Sequence, residues 1–137
     1  MEKILNTNAA DQPSKIRCKW LTKDDIYIKY HDEEWGVPIY DDNKLFEFLI
    51  LEGSQAGLSW LTVLKKRESY RALYENFDPL LVANFSDLKK RELLNNVRII
   101  RNKLKIEASI LNAKAFLGIQ KEYGSFSNYI WKFTNNK

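Results

Sequence analysis

The amino-acid sequence predicts an all-α protein, and three observations predict it. No segment alternates β-branched and polar residues in the way a half-buried strand would. Short polar side chains that favour helix N-caps, Asp41 or Asp42 and then Ser59, stand directly before runs of helix formers. Finally, Leu104, Ala108, Leu111, Ala115 and Phe116 repeat at helical spacing through a long stretch.

The elements follow in order. The opening "MEKILNTNAADQPSKI" is polar and contains Pro13, so residues 1–16 read as a mobile leader ahead of a helical domain at 17–137. "TKDDIYIKYHDEEWGVP" is rich in aromatic residues and ends in a Gly–Val–Pro breaker, which predicts a short helix and then a loop. A helix capped at Asp41 or Asp42 runs to about Ala56. Gly57 interrupts it, and Ser59 caps the next, which extends to about Tyr74 and carries Trp60, Val63 and Leu64 inward. "NFDP" breaks that helix. Short helices are expected at about 78–84 and 86–95, then the tight connection "NNVRII", a long helix from Arg101 or Asn102 to Glu122, and a last short helix in "FSNYIWKF" after Gly124.

The chain has 137 residues, enough for one domain with a real core, and its 45% hydrophobic and 29% charged content excludes general disorder. No apolar run approaches the roughly 18 to 20 residues needed to span a bilayer, and the first residues lack the apolar centre of a secretory signal. A cytoplasmic protein is the expectation. One cysteine excludes an internal disulfide and fits a reducing compartment. The net charge of +4 permits a polyanionic partner without requiring one.

Three groups of residues are able to carry chemistry. Around the helical hairpin at about 86–116 lie Lys89, Lys90, Arg91, Arg98, Arg101, Lys103 and Lys105, against Asp87, Glu92 and Glu107. Helix-start N–H groups beside basic side chains suit a phosphate; the alternative is an ordinary αα-hairpin with a solvated basic face. The second group is Glu52 in the apolar run "FEFLILEGSQAGLSW". On a helical wheel it falls amid Leu45, Phe48, Leu49 and Ala56, while Asn43, Glu47 and Ser54 fall opposite, as a solvated edge should. An inward carboxylate needs a partner. Aromatic Trp20, Tyr27, Tyr30, Trp35 and Trp60 bracket it in sequence, and rings around a buried anion would receive a flat cation. A structural ion pair with Arg or Lys, or a buried uncharged carboxyl, stays open beside that reading. Third, Cys18 and His31 are the one cysteine and the one histidine. Zinc takes both residue types, but a structural site normally has four protein ligands; a buried thiol and a hydrogen-bonded imidazole remain the simpler account.

Taken together, "RCKW", "YHDEEWGVP", "LEGSQAGLSW" and "RIIRNKLKIEASILNAKAF" resemble the DNA-3-methyladenine glycosylase I family, within the helix-hairpin-helix glycosylases, nearly continuously from Arg17 to Phe133. The resemblance implies a DNA repair enzyme that flips a 3-methyladenine nucleotide out of double-stranded DNA and hydrolyses its N-glycosidic bond. It implies that Glu52 is the catalytic-site carboxylate hydrogen-bonding the base, with Tyr30 and Trp60 stacking on it and Tyr27 and Trp35 lining the same cavity. Arg98, Arg101, Asn102 and Lys103 would hold the DNA backbone. Cys18 and His31 match two ligands of the family's structural zinc. Relatives outside this branch use an aspartate beyond the hairpin; here no aspartate follows Asp87, in keeping with this branch, and nothing marks a lysine nucleophile, so a monofunctional hydrolase is expected, and a monomer.

The sequence departs from the family pattern in two places. Family members continue further and supply a second histidine and a second cysteine to the zinc, neither of which this sequence contains. The hairpin turn also has Asn95 and Asn96 where glycines with positive φ are common. The competing reading is therefore a non-catalytic DNA-binding remnant, inactivated by loss of the C-terminal segment.

Overall fold

A computed structural model describes residues 15–135; the expected leader lies outside that range except for Lys15 and Ile16, both exposed. The described residues are helical and contain no strand. The chain forms two compact units, dividing between Pro38 and Ile39 inside the stretch read from sequence as one domain.

The first unit is built around α1, Asp25–Glu33. Its last turn closes with the Glu34 and Trp35 N–H groups both donating to the Tyr30 carbonyl at 2.9 Å. Gly36 then reverses the chain at φ +72°, a conformation that costs a glycine little. Ahead of α1, Arg17 forks onto Asp32, Nε to Oδ1 at 3.1 Å and Nη2 to Oδ2 at 2.8 Å, which ties the incoming chain to the helix.

The second unit contains α2 (Asp42–Ser54), α3 (Trp60–Leu73), α4 (Pro79–Ala83), α5 (Asp87–Leu94), α6 (Lys103–Tyr123) and α7 (Phe126–Trp131). Caps explain most of the boundaries: Asp41, Ser59, Asp78, Ser86, Asn102 and Ser125 each accept a hydrogen bond from a first-turn amide. The longest helix, α6, packs on α2, α4, α5 and α7. Phe46, Leu51, Val63, Phe77, Val82, Leu93, Ala113 and Phe116 lie in one sealed core. Between α3 and α4 the chain turns left-handed over Glu75, Asn76 and Phe77 (φ +51° to +56°), held by complete burial of the Phe77 ring.

Two helices turn a different face inward from the one their sequence suggests. In α2 the buried residues are Phe46, Glu47, Ile50, Leu51 and Ser54. Leu49 is 40% exposed, and Glu52 and Ala56 are exposed. Glu52 therefore does not point into the core; Glu47 does. The physical reason is that Phe46, Phe48, Leu49, Ile50 and Leu51 offer two competing apolar stripes, so spacing alone could not choose the phase of α2. The choice is made by α3, whose Arg71 and Arg67 meet the Glu47 carboxylate. In α6, Leu104, Ala108, Leu111 and Ala115 face solvent, and Ile106, Ser109, Ile110, Ala113 and Phe116 fill the core. The β-branched and aromatic stripe wins over the leucine–alanine stripe.

Candidate functional site

In the first unit an aromatic group adjoins the histidine that faces the exposed cysteine. The Trp20 ring lies 5.2 Å from Tyr27, 5.4 Å from His31 and 5.6 Å from Trp35, centroid to centroid, and Tyr27 is 6.4 Å from Tyr30. Tyr30 is buried, while Trp35 is more than half exposed. The His31 Nε2 sits 3.2 Å from the Cys18 sulfur, and its Nδ1 lies 2.9 Å from Asp32 Oδ1. Hydrogen bonds from Arg17 first, and then from His31, hold the Asp32 carboxyl well below the usual carboxylate range. An ionised Asp32 asks Nδ1 to carry the proton, which leaves Nε2 as the lone-pair nitrogen facing sulfur. A carboxylate orienting a ligating imidazole is the usual outer support of a zinc site. Cys18 and His31 thus fit one half of a tetrahedral zinc centre. Among the described residues no group of three or more metal-binding side chains exists, so they do not fit the whole.

In the second unit, α2 ends at Ser54 and the chain turns through Gly57, at φ +79°, into the Ser59 cap of α3. Glu52 projects near the end of α2, exposed, and Trp60 opens α3, half-buried, with its ring 6.5 Å from Phe48 in a stacked arrangement. Between α2 and α6, Leu49, Gly53, Leu104, Lys105, Ala108 and Asn112 line an open cleft of about 250 Å³. The structure brings Trp60 and Glu52 to the two ends of one turn. Tyr27, Tyr30 and Trp35 belong to the first unit.

The hairpin α5–α6 has the expected boundaries. Its turn uses no left-handed residue: Asn95 ends α5 at φ −95°, and Asn96 instead accepts a hydrogen bond from the Arg98 N–H through its side chain at 3.0 Å. The expectation that Asn95 and Asn96 replace glycines is therefore corrected; side-chain acceptors shape the turn without positive φ. Ile99 plugs the core beneath it. Arg98, Arg101, Asn102 and Lys103 are all exposed at this end of the hairpin, and the Asn102 carboxamide oxygen is occupied in capping α6. Arg98, Arg101 and Lys103 present their cationic groups to solvent on this side.

These features are those of a helical fold presenting a basic hairpin and an acidic, aromatic turn. The family model for methyladenine glycosylase matches residues 20–137. The chain belongs to the methyladenine glycosylase family. It is 50% identical over 121 residues to the DNA-3-methyladenine glycosylase of Haemophilus influenzae and 49% identical over 121 residues to DNA-3-methyladenine glycosylase 1 of Escherichia coli. Each match covers 88% of this chain and 65% of the relative, so the chain spans about two thirds of the length of these curated relatives. A crystal structure of 3-methyladenine DNA glycosylase I superposes with a TM-score of 0.85 at 49% identity, covering 89% of this chain and 67% of that one. The Staphylococcus aureus enzyme, solved for its recognition of 3-methyladenine, does so with a TM-score of 0.85 at 41% identity, covering 88% and 64%.

Among the described residues, no helix is long and apolar enough to cross a membrane.

Proposed function

We propose that this chain recognises and excises 3-methyladenine from alkylated double-stranded DNA as a monofunctional N-glycosyl hydrolase, acting as a monomer. The single observation that carries the proposal is the continuous match, about half identical, to enzymes named for that reaction. The roles follow the resemblance. Glu52 takes the base edge as hydrogen-bond acceptor and counter-charge. By the same resemblance, Trp60 and Tyr30 are assigned to stacking on the base and Tyr27 and Trp35 to lining its cavity. Arg98, Arg101 and Lys103 grip phosphate, with Asn102 setting the start of α6 beneath them.

The chemistry asks little of the protein. Alkylation at N3 leaves the nucleotide's base cationic and already a good leaving group, so recognition and shielding replace strong acid catalysis. A cationic ring gains from both a carboxylate and aromatic faces; neutral adenine gains less, and that difference is the selectivity. The half-site Cys18–His31 would hold zinc if two further donors were supplied to it.

The test is release of free 3-methyladenine from methylated duplex DNA. The wild-type chain releases it, and Glu52→Gln or Trp60→Ala loses most of the release. No release from a folded chain, under conditions in which the longer relatives are active, overturns the proposal. A second reading rests on the exposed Arg98, Arg101 and Lys103 at the α5–α6 connection: a duplex-binding protein without turnover. It predicts salt-steep DNA binding with no base excision.

A further inference from the structure

The sequence groups Lys105 with the basic flank of the hairpin, but the structure turns it the other way. From the first turn of α6 its Nζ donates to the Ser54 carbonyl at 2.8 Å and to the Ala56 carbonyl at 2.6 Å, across some fifty residues of chain. These are carbonyls at the C-terminal end of α2 and just beyond it, where a helix lacks internal donors and carries partial negative charge. Two further ties connect the same parts. The buried Tyr70 hydroxyl, on α3, bonds the Ser54 side chain and accepts the Ile100 N–H at 3.3 Å. Lys66, also on α3, donates to the Val97 carbonyl in the hairpin turn at 3.1 Å. Within the turn itself, Gln55 N–H bonds Glu52 O at 3.2 Å and Leu58 N–H bonds Gln55 O at 2.6 Å. Glu52 and Trp60 stand at its two ends.

We propose that Lys105 is a positioning residue: it clamps the Glu52–Trp60 turn to the start of the hairpin's second helix, so that the element holding the DNA backbone fixes the register of the element reading the base. This inference rests on the function proposed above. Its physical basis does not require Lys105 to touch DNA. Two of its three donors are already engaged with backbone carbonyls, and moving to a phosphate would leave the Ser54 and Ala56 carbonyls without that ammonium. A catalytic group displaced by about 1 Å costs on the order of a hundredfold in rate, so loosening this clamp should act on turnover far more than on duplex affinity.

The experiment compares wild type with Lys105→Met and Lys105→Arg, in the full chain. In Lys105→Met, amide hydrogen exchange at Gln55 and Leu58 should rise at least about tenfold while exchange at Ile110 and Ala113 in α6 stays unchanged; unchanged exchange in the turn overturns the clamp. The salt dependence of duplex binding should keep its log–log slope; a slope reduced by about one marks Lys105 as a phosphate contact and overturns the proposal. Excision should lose kcat by about ten- to a hundredfold with KM nearly constant, and Lys105→Arg, which keeps two donors within reach, should restore most of it. Equal kcat in wild type and Lys105→Met overturns it as well. If the wild-type chain excises nothing, the proposed function has failed, and the exchange and salt measurements still decide the role of Lys105. Should Lys105→Met fail to fold, Lys105→Gln, shorter and uncharged, carries the same three readouts.

Discussion

The two glutamates of α2 make the sharpest test of how this helix packs. Glu47 is 7% exposed, and its Oε1 accepts from Arg71 Nε at 2.9 Å and Nη2 at 2.8 Å, with Arg67 Nε at 3.9 Å. Breaking a buried ion pair by removing one partner costs about 3–5 kcal/mol. Here the discount is explicit: the Arg71 side chain is 33% exposed and retains Glu68 at 2.6 Å, so the stranded cation is partly rescued by water and by its neighbour. Glu47→Ala should therefore destabilise the protein by about 2–3 kcal/mol, a large share of a total of about 5–15 kcal/mol. Glu52→Ala, one helical turn away but exposed, should stay within about 0.5 kcal/mol. Urea unfolding followed by circular dichroism measures both. A double-mutant cycle with Arg71→Ala should return a coupling of at least about 1 kcal/mol between positions 47 and 71. If Glu52→Ala proves the costlier substitution, or if positions 47 and 71 do not couple, the phase of α2 described above is wrong.

Three other outcomes follow from the same geometry. Asp42 accepts Gln120 Nε2 at 2.8 Å and the Phe126 and Ser127 N–H groups at 2.9 Å each, so Asp42→Ala should cost about 2 kcal/mol and speed amide exchange at Phe126 and Ser127. Asp32 has its folded-state pKa depressed chiefly by Arg17, so its contribution is present above the unfolded-state value of about 3.9 and is lost as the pH falls below that value toward the folded one. The stability gap between wild type and Asp32→Asn should accordingly begin to narrow below about pH 5 and go on narrowing as the pH falls past about 3. With Cys18 and His31 as the metal-binding pair, the purified 137-residue chain should carry far less than one zinc per molecule after brief dialysis against chelator, by elemental analysis.

Most helix boundaries could be read from the sequence because local chemistry sets them. Asp41, Ser59 and Pro79 act within their own turn, and no distant contact is needed to place them. What could not be read is which face of α2 and of α6 turns inward. Phe46, Phe48, Leu49, Ile50 and Leu51 offer two competing stripes, and the decision depends on Arg71, 24 residues away. Lys105 was hidden for the same reason. In sequence it is one more cation beside Arg101 and Lys103; only the fold shows that it reaches back to Ser54 and Ala56. The hairpin turn misled in a smaller way, since Asn96 shapes it with a side-chain acceptor where positive backbone φ was expected.

If Glu52 reads a cationic base as proposed, its exposure changes how that selectivity must work. A carboxylate sealed in the core would discriminate at full strength before any ligand arrived, but would have to be stabilised in the empty protein. In open solvent, a pair of opposite charges at 4 Å is worth about 1 kcal/mol, roughly a fivefold preference; with water largely displaced, at an effective dielectric near 20, it is worth about 4 kcal/mol, on the order of a thousandfold. On the proposed function, the same side chain would read charge weakly when approached and strongly once a flipped nucleotide has covered it. Discrimination then rests on how exactly the turn bearing Glu52 and Trp60 is held at the moment of closure, because a carboxylate free to swing back to water gives up the larger figure. On that reading a clamp such as Lys105, bonded to the Ser54 and Ala56 carbonyls of the turn, would limit the retreat of the charge that the ligand has just desolvated.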